Sequence, residues 1–315
     1  MHRMGKELGL DEQVRYIYAA LQHLEHGRST VELAEELGVS RFMVGRMIRR
    51  AREDQLVEVV PKISDPIDVR LSNELGAAFK LAGAYAVIPP TDTLEHTRST
   101  IATVAAKVFP QVVYEDDIVG LAAGRTILEM CSQTADLPTC DVVQLTGVAS
   151  TDANDIMKAV MALSSISKGR MFPLHAPFIA TDVRAGEMIA AQPAVKQALK
   201  RMDRLDRAVL TVGGWPNGAM LADQLRLLGE LDEVTAHGVA AEIGTTLLDA
   251  DGNALDVLDG RMVGISLEQL RRVPTKLVIA GGAAKQQAVL AALRAGLVDI
   301  LVTDVETARF ALAHA

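Results

Sequence analysis

Near the N-terminus apolar side chains recur at helical spacing. Val14, Ile17, Tyr18, Leu21 and Leu24 fall at i, i+3, i+4, i+7 and i+10, one stripe of a helix that starts near Asp11 and ends near Gly27. Ser29, followed at the third helical position by Glu32, is a capping box. It predicts a second short helix with Val31, Ala34 and Leu37 turned inward and Gly38 as its stop. Ser40 then caps a third helix over 41–54, with Met47 and Ile48 expected inside. A short helix, a tight Gly-Val-Ser turn and a basic helix together have the form of a helix-turn-helix. Residues 55–60 read as a short strand, a small wing on this all-α domain. Pro61 to Pro66 reads as a linker, which puts a boundary near residue 62.

Further along, the period changes. Short apolar runs at 84–88, 118–122, 142–145, 171–174, 208–212, 277–280 and 300–302 alternate with helical stretches, the pattern of an α/β, Rossmann-like domain with a mostly parallel sheet. Ligands of such sheets bind beyond the carboxyl ends of the strands, so the residues there are the candidates. After 118–122 comes Ala123-Gly124-Arg125-Thr126, where Gly124 lets the backbone approach an anion and Arg125 and Thr126 add donors. The same glycine is also ordinary turn chemistry. Gln144 and Thr146, before Gly147, are either site groups or caps of the next segment. Lys285 stands about one turn into a helix that follows Gly281-Gly282, with an ammonium able to return to the strand end. Glu242, isolated among small and apolar residues, is either a helix-cap partner or a hydroxyl acceptor in a pocket. His175 reads as a core histidine.

Composition narrows the function. A chain of 315 residues, 49% hydrophobic, is about twice a usual single domain and fits two, 1–62 and 63–315. The net charge of −8 excludes a polycation that coats nucleic acid or acidic membranes. Residues 1–62 are nonetheless balanced, ten basic against ten acidic, and residues 41–52 hold Arg41, Arg46, Arg49, Arg50 and Arg52 with no acid. The remainder carries the whole net negative charge, which keeps the large domain off the phosphates of nucleic acid. A solvated helix face is the plainer reading of five arginines, but the capped helix and turn before them favour double-stranded DNA. Arg41, Phe42, Met43 and Arg46, beside the cap Ser40, then point to base edges, while Arg49, Arg50 and the Thr30 helix end meet phosphates.

Other classes fall away. With 3% aromatic residues there is no stacking platform for single strands. Two cysteines and seven scattered histidines give neither a disulfide framework nor metal spacing, and no nucleotide motif follows a strand, so no metal and no cofactor is expected. The charged N-terminus and the lack of an apolar stretch of about 18 residues predict a soluble, cytoplasmic protein with no membrane partner.

In combination, these segments resemble the SorC family of bacterial sugar-responsive transcriptional regulators, over nearly the whole chain. The carriers are Leu33-Ala34-Glu35-Glu36-Leu37-Gly38-Val39-Ser40 with the Arg-rich helix, Gly124-Arg125-Thr126 and Val142-Val143-Gln144-Leu145-Thr146-Gly147. To these are added Val263-Gly264-Ile265-Ser266-Leu267-Glu268-Gln269-Leu270, Ala280-Gly281-Gly282-Ala283-Ala284-Lys285 and Leu301-Val302-Thr303-Asp304 with Thr307-Ala308. The resemblance implies an effector domain similar to the sugar-phosphate isomerase, deaminase and CoA-transferase superfamily. It also implies a phosphorylated sugar or polyol as effector, a dimer or tetramer, and a pocket including Gly124, Arg125, Thr126, Gln144, Thr146, Gly147, Glu242 and Lys285. Thr146 stands where relatives often carry an amide or a lysine, and Val148 where a second glycine is common, so no lysine is at hand there for a Schiff base. An isomerase- or deaminase-like enzyme with an extra helical domain is the alternative, since fold alone does not decide function. Glu242 is its one acid–base candidate, and the basic helix has no purpose in it, so a regulator of carbohydrate catabolism without enzymatic activity ranks first.

Overall fold

The computed structural model describes residues 8–58, 62, 64–149 and 153–315, without the side chains of 153–155. The chain divides into two compact units between Ser64 and Asp65.

The first unit consists of α1 (Leu10–Leu24), α2 (Thr30–Leu37) and α3 (Arg41–Glu53). The caps act as their residue types predict. Ser29 and Glu32 exchange reciprocal bonds, Gly38 closes α2 in the left-handed conformation, and Ser40 Oγ accepts from the Met43 amide at 3.2 Å. The buried face differs from the expected stripe. Ala19, Leu33, Ala34, Val44 and Met47 form the core, with Tyr16, Leu37, Met43 and Ile48 packed at its edge. Val14, Leu24 and Val31 are exposed. On α1 the fully buried residues are the small Ala19 and Ala20, which permit close helix approach. Val31 lies two positions before the buried Leu33, roughly 200° around a helix of 3.6 residues per turn, and so points away from it. Glu36 ties the unit together, accepting from the Tyr18 hydroxyl and pairing with Arg28 at 2.5 Å.

Residues 55–58 turn back where a wing strand was expected. The amides of Leu56 and Val57 both return to the Ala51 carbonyl, at 2.8 and 3.1 Å, so these residues have no ladder to offer. Val59, Val60 and Pro61 of that segment lie outside the described residues.

The second unit opens with α4 (Val69–Phe79), β1 (Gly83–Val87), α5 (Leu94–Val112), β2 (Ile118–Leu121), α6 (Arg125–Gln133), β3 (Asp141–Gln144), α7 (Ala153–Ser167) and β4 (Met171–Phe172). It continues through α8 (Val183–Ala191), α9 (Pro193–Arg201), β5 (Arg207–Leu210), β6 (Val212–Gly214), α10 (Met220–Leu228), α11 (Leu231–Thr235), β7 (Ala241–Ile243), β8 (Thr246–Leu248) and β9 (Ala254–Leu255). It closes with α12 (Leu267–Arg272), β10 (Thr275–Ile279), α13 (Gln286–Arg294), β11 (Ile300–Asp304) and α14 (Val305–Ala313).

The seven apolar runs are the seven strands of one wholly parallel sheet, ordered β1-β11-β10-β5-β2-β3-β4. Burial on both faces explains why they read as continuous runs instead of alternating ones. From β2 the chain moves outward to β3 and β4. From β5 it moves the other way, to β10 and β11. The crevice between β2 and β5 is therefore the point where the direction of winding reverses, the place such sheets reserve for ligands.

A second sheet, antiparallel and ordered β6-β7-β8-β9, has no counterpart in the apolar pattern. Its strands span two or three residues, and glycines sit at 213, 214 and 244. The chain passes from one sheet to the other at Thr211, the single residue between β5 and β6. The large core surrounds the parallel sheet, and a smaller cluster of Phe178, Leu221, Leu225 and Leu247 lies at the small sheet. Among the described residues no helix is long and apolar enough to cross a membrane.

Candidate functional site

At the carboxyl ends of β2 and β5 the second unit holds a cavity of about 200 Å³. Two turns that lead into helices line it. After β2, Gly124 is the N-cap of α6, whose first residues are Arg125 and Thr126. After β10, Gly281 and Gly282 lead through a 3₁₀ turn to Lys285, the N-cap of α13. The first amides of a helix have no acceptor within it, so such turns present donors to an anion. Thr211 joins the two: its Oγ1 accepts from Lys285 Nζ at 3.4 Å. Its methyl carbon lies 2.8 Å from where a Cβ on Gly124 would stand.

The glycine pair is pinned from below by β11. A Cβ on Gly281 would lie 2.2 Å from Asp304 Oδ2. That oxygen accepts from the Gly282 amide at 2.6 Å and the Thr307 hydroxyl at 2.7 Å, while Oδ1 accepts from the Thr307 amide at 3.0 Å. The segments 280–285 and 301–307 are thus one structure, with Asp304 both capping α14 and fixing the turn.

The small sheet contributes Glu242, which lines the cavity and caps α10 at once, its Oε2 accepting from the Leu221 amide at 2.9 Å. Burial pushes its carboxyl up to about 7, against the pull of the Leu221 amide and of the Lys285 charge and with a further push from Asp223. Burial likewise pushes Lys285 down to about 8; Glu242 counteracts this and Arg125 adds to it. Arg98, paired with Glu129 at 3.2 Å, and Asp223, paired with Arg226 at 2.5 Å, complete the charged lining.

Of the residues expected at an effector pocket, Gly124, Arg125, Thr126, Thr146, Glu242 and Lys285 meet at this cavity, while Gln144 and Gly147 are not in its lining. Gln144 is fully buried. Its Nε2 donates to the Thr146 carbonyl at 2.7 Å and its Oε1 accepts from the Leu174 amide at 3.2 Å. Gly147 is pressed against the Pro177 carbonyl, 2.2 Å from a notional Cβ. Both shape the chain after β3. His175, expected in the core, is exposed. Arg98, Thr211 and Asp223 belong to the cavity although their sequence surroundings do not single them out. For Thr211 the available signal is a polar residue directly after the apolar run Ala208-Val209-Leu210.

In the first unit, Arg41, Phe42, Arg46 and Arg49 are exposed on α3, with the Arg41 guanidinium 5.0 Å from the Phe42 ring centroid. Arg46 and Arg49 make no ion pair among the described residues, whereas Arg50 is half-buried and pairs with Asp54 at 3.0 Å. Thr30 is the half-buried first residue of α2 and Ser40 is engaged as a cap. Met43 is half-buried against the core, so its side chain is less available to a groove than that of Phe42.

Comparison with known proteins gives a match of residues 67–313 to the family described as "Putative sugar-binding domain". The uncharacterized transcriptional regulator YjhU of Escherichia coli (strain K12) is 27% identical over 94% of this chain and 94% of its own. The deoxyribonucleoside regulator of Bacillus subtilis (strain 168) is 25% identical over 95% and 97%. Among solved structures, the full-length sorbitol operon regulator SorC from Klebsiella pneumoniae has a TM-score of 0.68 at 22% identity, covering 96% of this chain and 99% of that one. A transcriptional regulator from Streptococcus pneumoniae TIGR4 has a TM-score of 0.71 at 22% identity over 78% and 96%. At such identities the structural matches establish the fold.

Proposed function

We propose, since this chain belongs to the SorC family of sugar-responsive transcriptional regulators, that residues 1–62 read duplex operator DNA and that residues 63–315 bind a phosphorylated sugar or polyol whose occupancy changes operator affinity. The observation that carries this reading is the convergence of two glycine turns, each leading into a helix, with Lys285 on one cavity. A phosphate there meets helix-start amides, the Thr126 hydroxyl and an ammonium, and charge-assisted bonds of this kind are the strong ones. The sugar hydroxyls are left to Glu242, Thr146 and Asp223. The protein acts in the cytoplasm as a homo-oligomer, dimer or tetramer, controlling carbohydrate catabolism.

One observation favours a second reading. Glu242 and Lys285, drawn toward neutrality beside a cavity, are of the kind that acid–base catalysis uses, and would suit an isomerase- or deaminase-like activity. The arginine face of α3 supports regulation instead. Gel shifts and calorimetry with a panel of sugar phosphates separate the two. Lys285→Ala is expected to keep operator binding and lose the effector response, with the bound sugar phosphate recovered unchanged by NMR. Equal affinity for the free sugar, or a normal response in Lys285→Ala, would overturn the phosphate-driven mechanism, and conversion of the ligand would favour the enzyme.

A further inference from the structure

We infer that α5 carries the state of the cavity to residues 65–68, where the chain enters the second unit, with the Lys107–Asp65 ion pair as the positioning contact at its far end. The inference rests on the sugar-binding reading above and adds to it the route by which occupancy acts. Leu94, Arg98 and Ile101, one face of α5 at i, i+4 and i+7, line the cavity. Ile101 Cδ1 lies 2.7 Å from where a Cβ on Gly281 would stand, and Leu94 Cδ1 3.4 Å from one on Gly282. The first half of α5 therefore rests on the glycine turn where the phosphate is proposed to bind.

Roughly 20 Å along the same helix, the Lys107 ammonium pairs with Asp65, the first residue of the second unit. The residues after Asp65 are stitched to the end of β1. Ile67 forms an antiparallel bridge with Val87, the Asp68 amide donates to the Ala86 carbonyl at 2.9 Å, and the Ile88 amide donates to the Pro66 carbonyl at 2.7 Å. Lys107 joins this stitched segment to α5. One helix thus touches both the proposed phosphate site and the point from which the chain runs back to the first unit.

Occupancy offers α5 a second set of partners. Arg98 pairs with Glu129 of α6 at 3.2 Å, and five residues on the Thr103 hydroxyl donates to Gln133 Oε1 at 2.8 Å. A phosphate in the cavity competes with Glu129 for the Arg98 guanidinium, since both are anions that accept its N–H groups. Ligand binding thereby changes what holds α5 to α6, and a difference of that kind between two states is what lets a ligand shift an equilibrium. Lys107 then passes the shift of the helix to Asp65. An ion pair as exposed as this one carries only part of the switch, a factor of about five at most.

The test compares the full-length protein with Lys107→Gln, with Asp65→Asn and with the exchanged pair Lys107→Asp and Asp65→Lys. Calorimetry with a panel of pentose and hexose phosphates, and gel shifts with and without the tightest binder, measure both affinities and their coupling. Each single variant should bind sugar phosphate and operator within about twofold of the wild type, while the effector-dependent change in operator affinity falls about three- to fivefold. The exchanged pair should restore that change. Coupling is reciprocal, so the change that operator causes in sugar-phosphate affinity must fall by the same factor. Unaltered coupling in both single variants, or no recovery in the exchanged pair, overturns the inference. A ligand-free arm uses Glu129→Gln, which loosens Arg98 directly. Hydrogen exchange of the Asp68 and Ile88 amides should then quicken about threefold, with no further change where Lys107→Gln is already present. If the wild type binds no sugar phosphate or no operator, the reading above fails and the exchange rates alone decide this inference. No quickening, or the same quickening with and without Lys107→Gln, would then overturn it.

Discussion

Two side chains that water would keep charged are drawn toward neutrality at the cavity, Glu242 up to about 7 and Lys285 down to about 8. As pH rises through about 7 the carboxyl becomes an anion and repels a phosphate. As pH rises through about 8 the ammonium is lost, and with it the attraction. A phosphate monoester loses its second proton near about 6. Affinity for a sugar phosphate should therefore rise toward neutrality and fall above it, approaching tenfold per pH unit where one proton must be regained. Lys285→Arg, which stays charged throughout, should remove the part of the alkaline fall that sets in near pH 8 and leave the part that Glu242 causes near pH 7, in calorimetry between pH 6 and 9. These two residues are legible in the sequence because each is a reactive type set among small and apolar neighbours. Gln144 looks the same in the sequence, but Leu174, thirty residues on, turns its amide inward. Thr211 is illegible because its place comes only from contact with Gly124 and Lys285.

At the level of elements, α3 projects Arg46 and Arg49 without ion pairs among the described residues. Removing both should weaken operator binding and reduce the log–log salt slope by roughly 0.9 for each phosphate left without its arginine, with melting unchanged. An unchanged slope would make the face a solvated surface. Asp304 gives a second test. Asp304→Asn takes the charge from three hydrogen bonds that fix the glycine turn and the start of α14. A loss of about 1–3 kcal/mol in chemical denaturation is expected, with a weaker effector response. The parallel strands can be read because burial on both faces makes them unbroken apolar runs. The antiparallel strands cannot, being two or three residues long with glycines among them. Over residues 55–58 the wing is a false signal, because the Ala51 carbonyl takes the Leu56 and Val57 amides, a contact that an apolar run does not reveal. On α1 the larger apolar side chains form the more conspicuous stripe, and the alanines beside them form the contact.

For the molecule as a whole, the positive charge of α3 is local and the net −8 lies beyond the first 62 residues, so contacts with DNA phosphates are expected from the small unit. One such reader has few base contacts. Paired readers engage half-sites about 34 Å apart or a multiple of it, and joining them multiplies specificity through effective concentration. Sedimentation with and without operator is expected to show a dimer or larger species, and a monomer in both would refute this. To move the operator from mostly occupied to mostly free, the effector must distinguish two states of the protein by about 5 kcal/mol. A titration that shifts operator affinity by only a few fold would show that the cavity reports on sugar without acting as a full switch.

The glycine turns carry a consequence for how such a sensor acquires a new inducer. Gly124 and Gly281 have no space for a side chain, lying against Thr211 and Asp304, so mutation can break that half of the cavity but scarcely adjust it. On the proposed reading the remaining recognition falls to side chains that line the cavity, at Thr146, Asp223 and Glu242. If the effector is a sugar phosphate as proposed, inheritance of the phosphate requirement is rigid while the choice of sugar is only a few codons deep. A saturation library confined to these three positions, selected on alternative sugar phosphates, should yield retuned biosensors, with Glu242 the least replaceable of the three because it also holds the Leu221 amide.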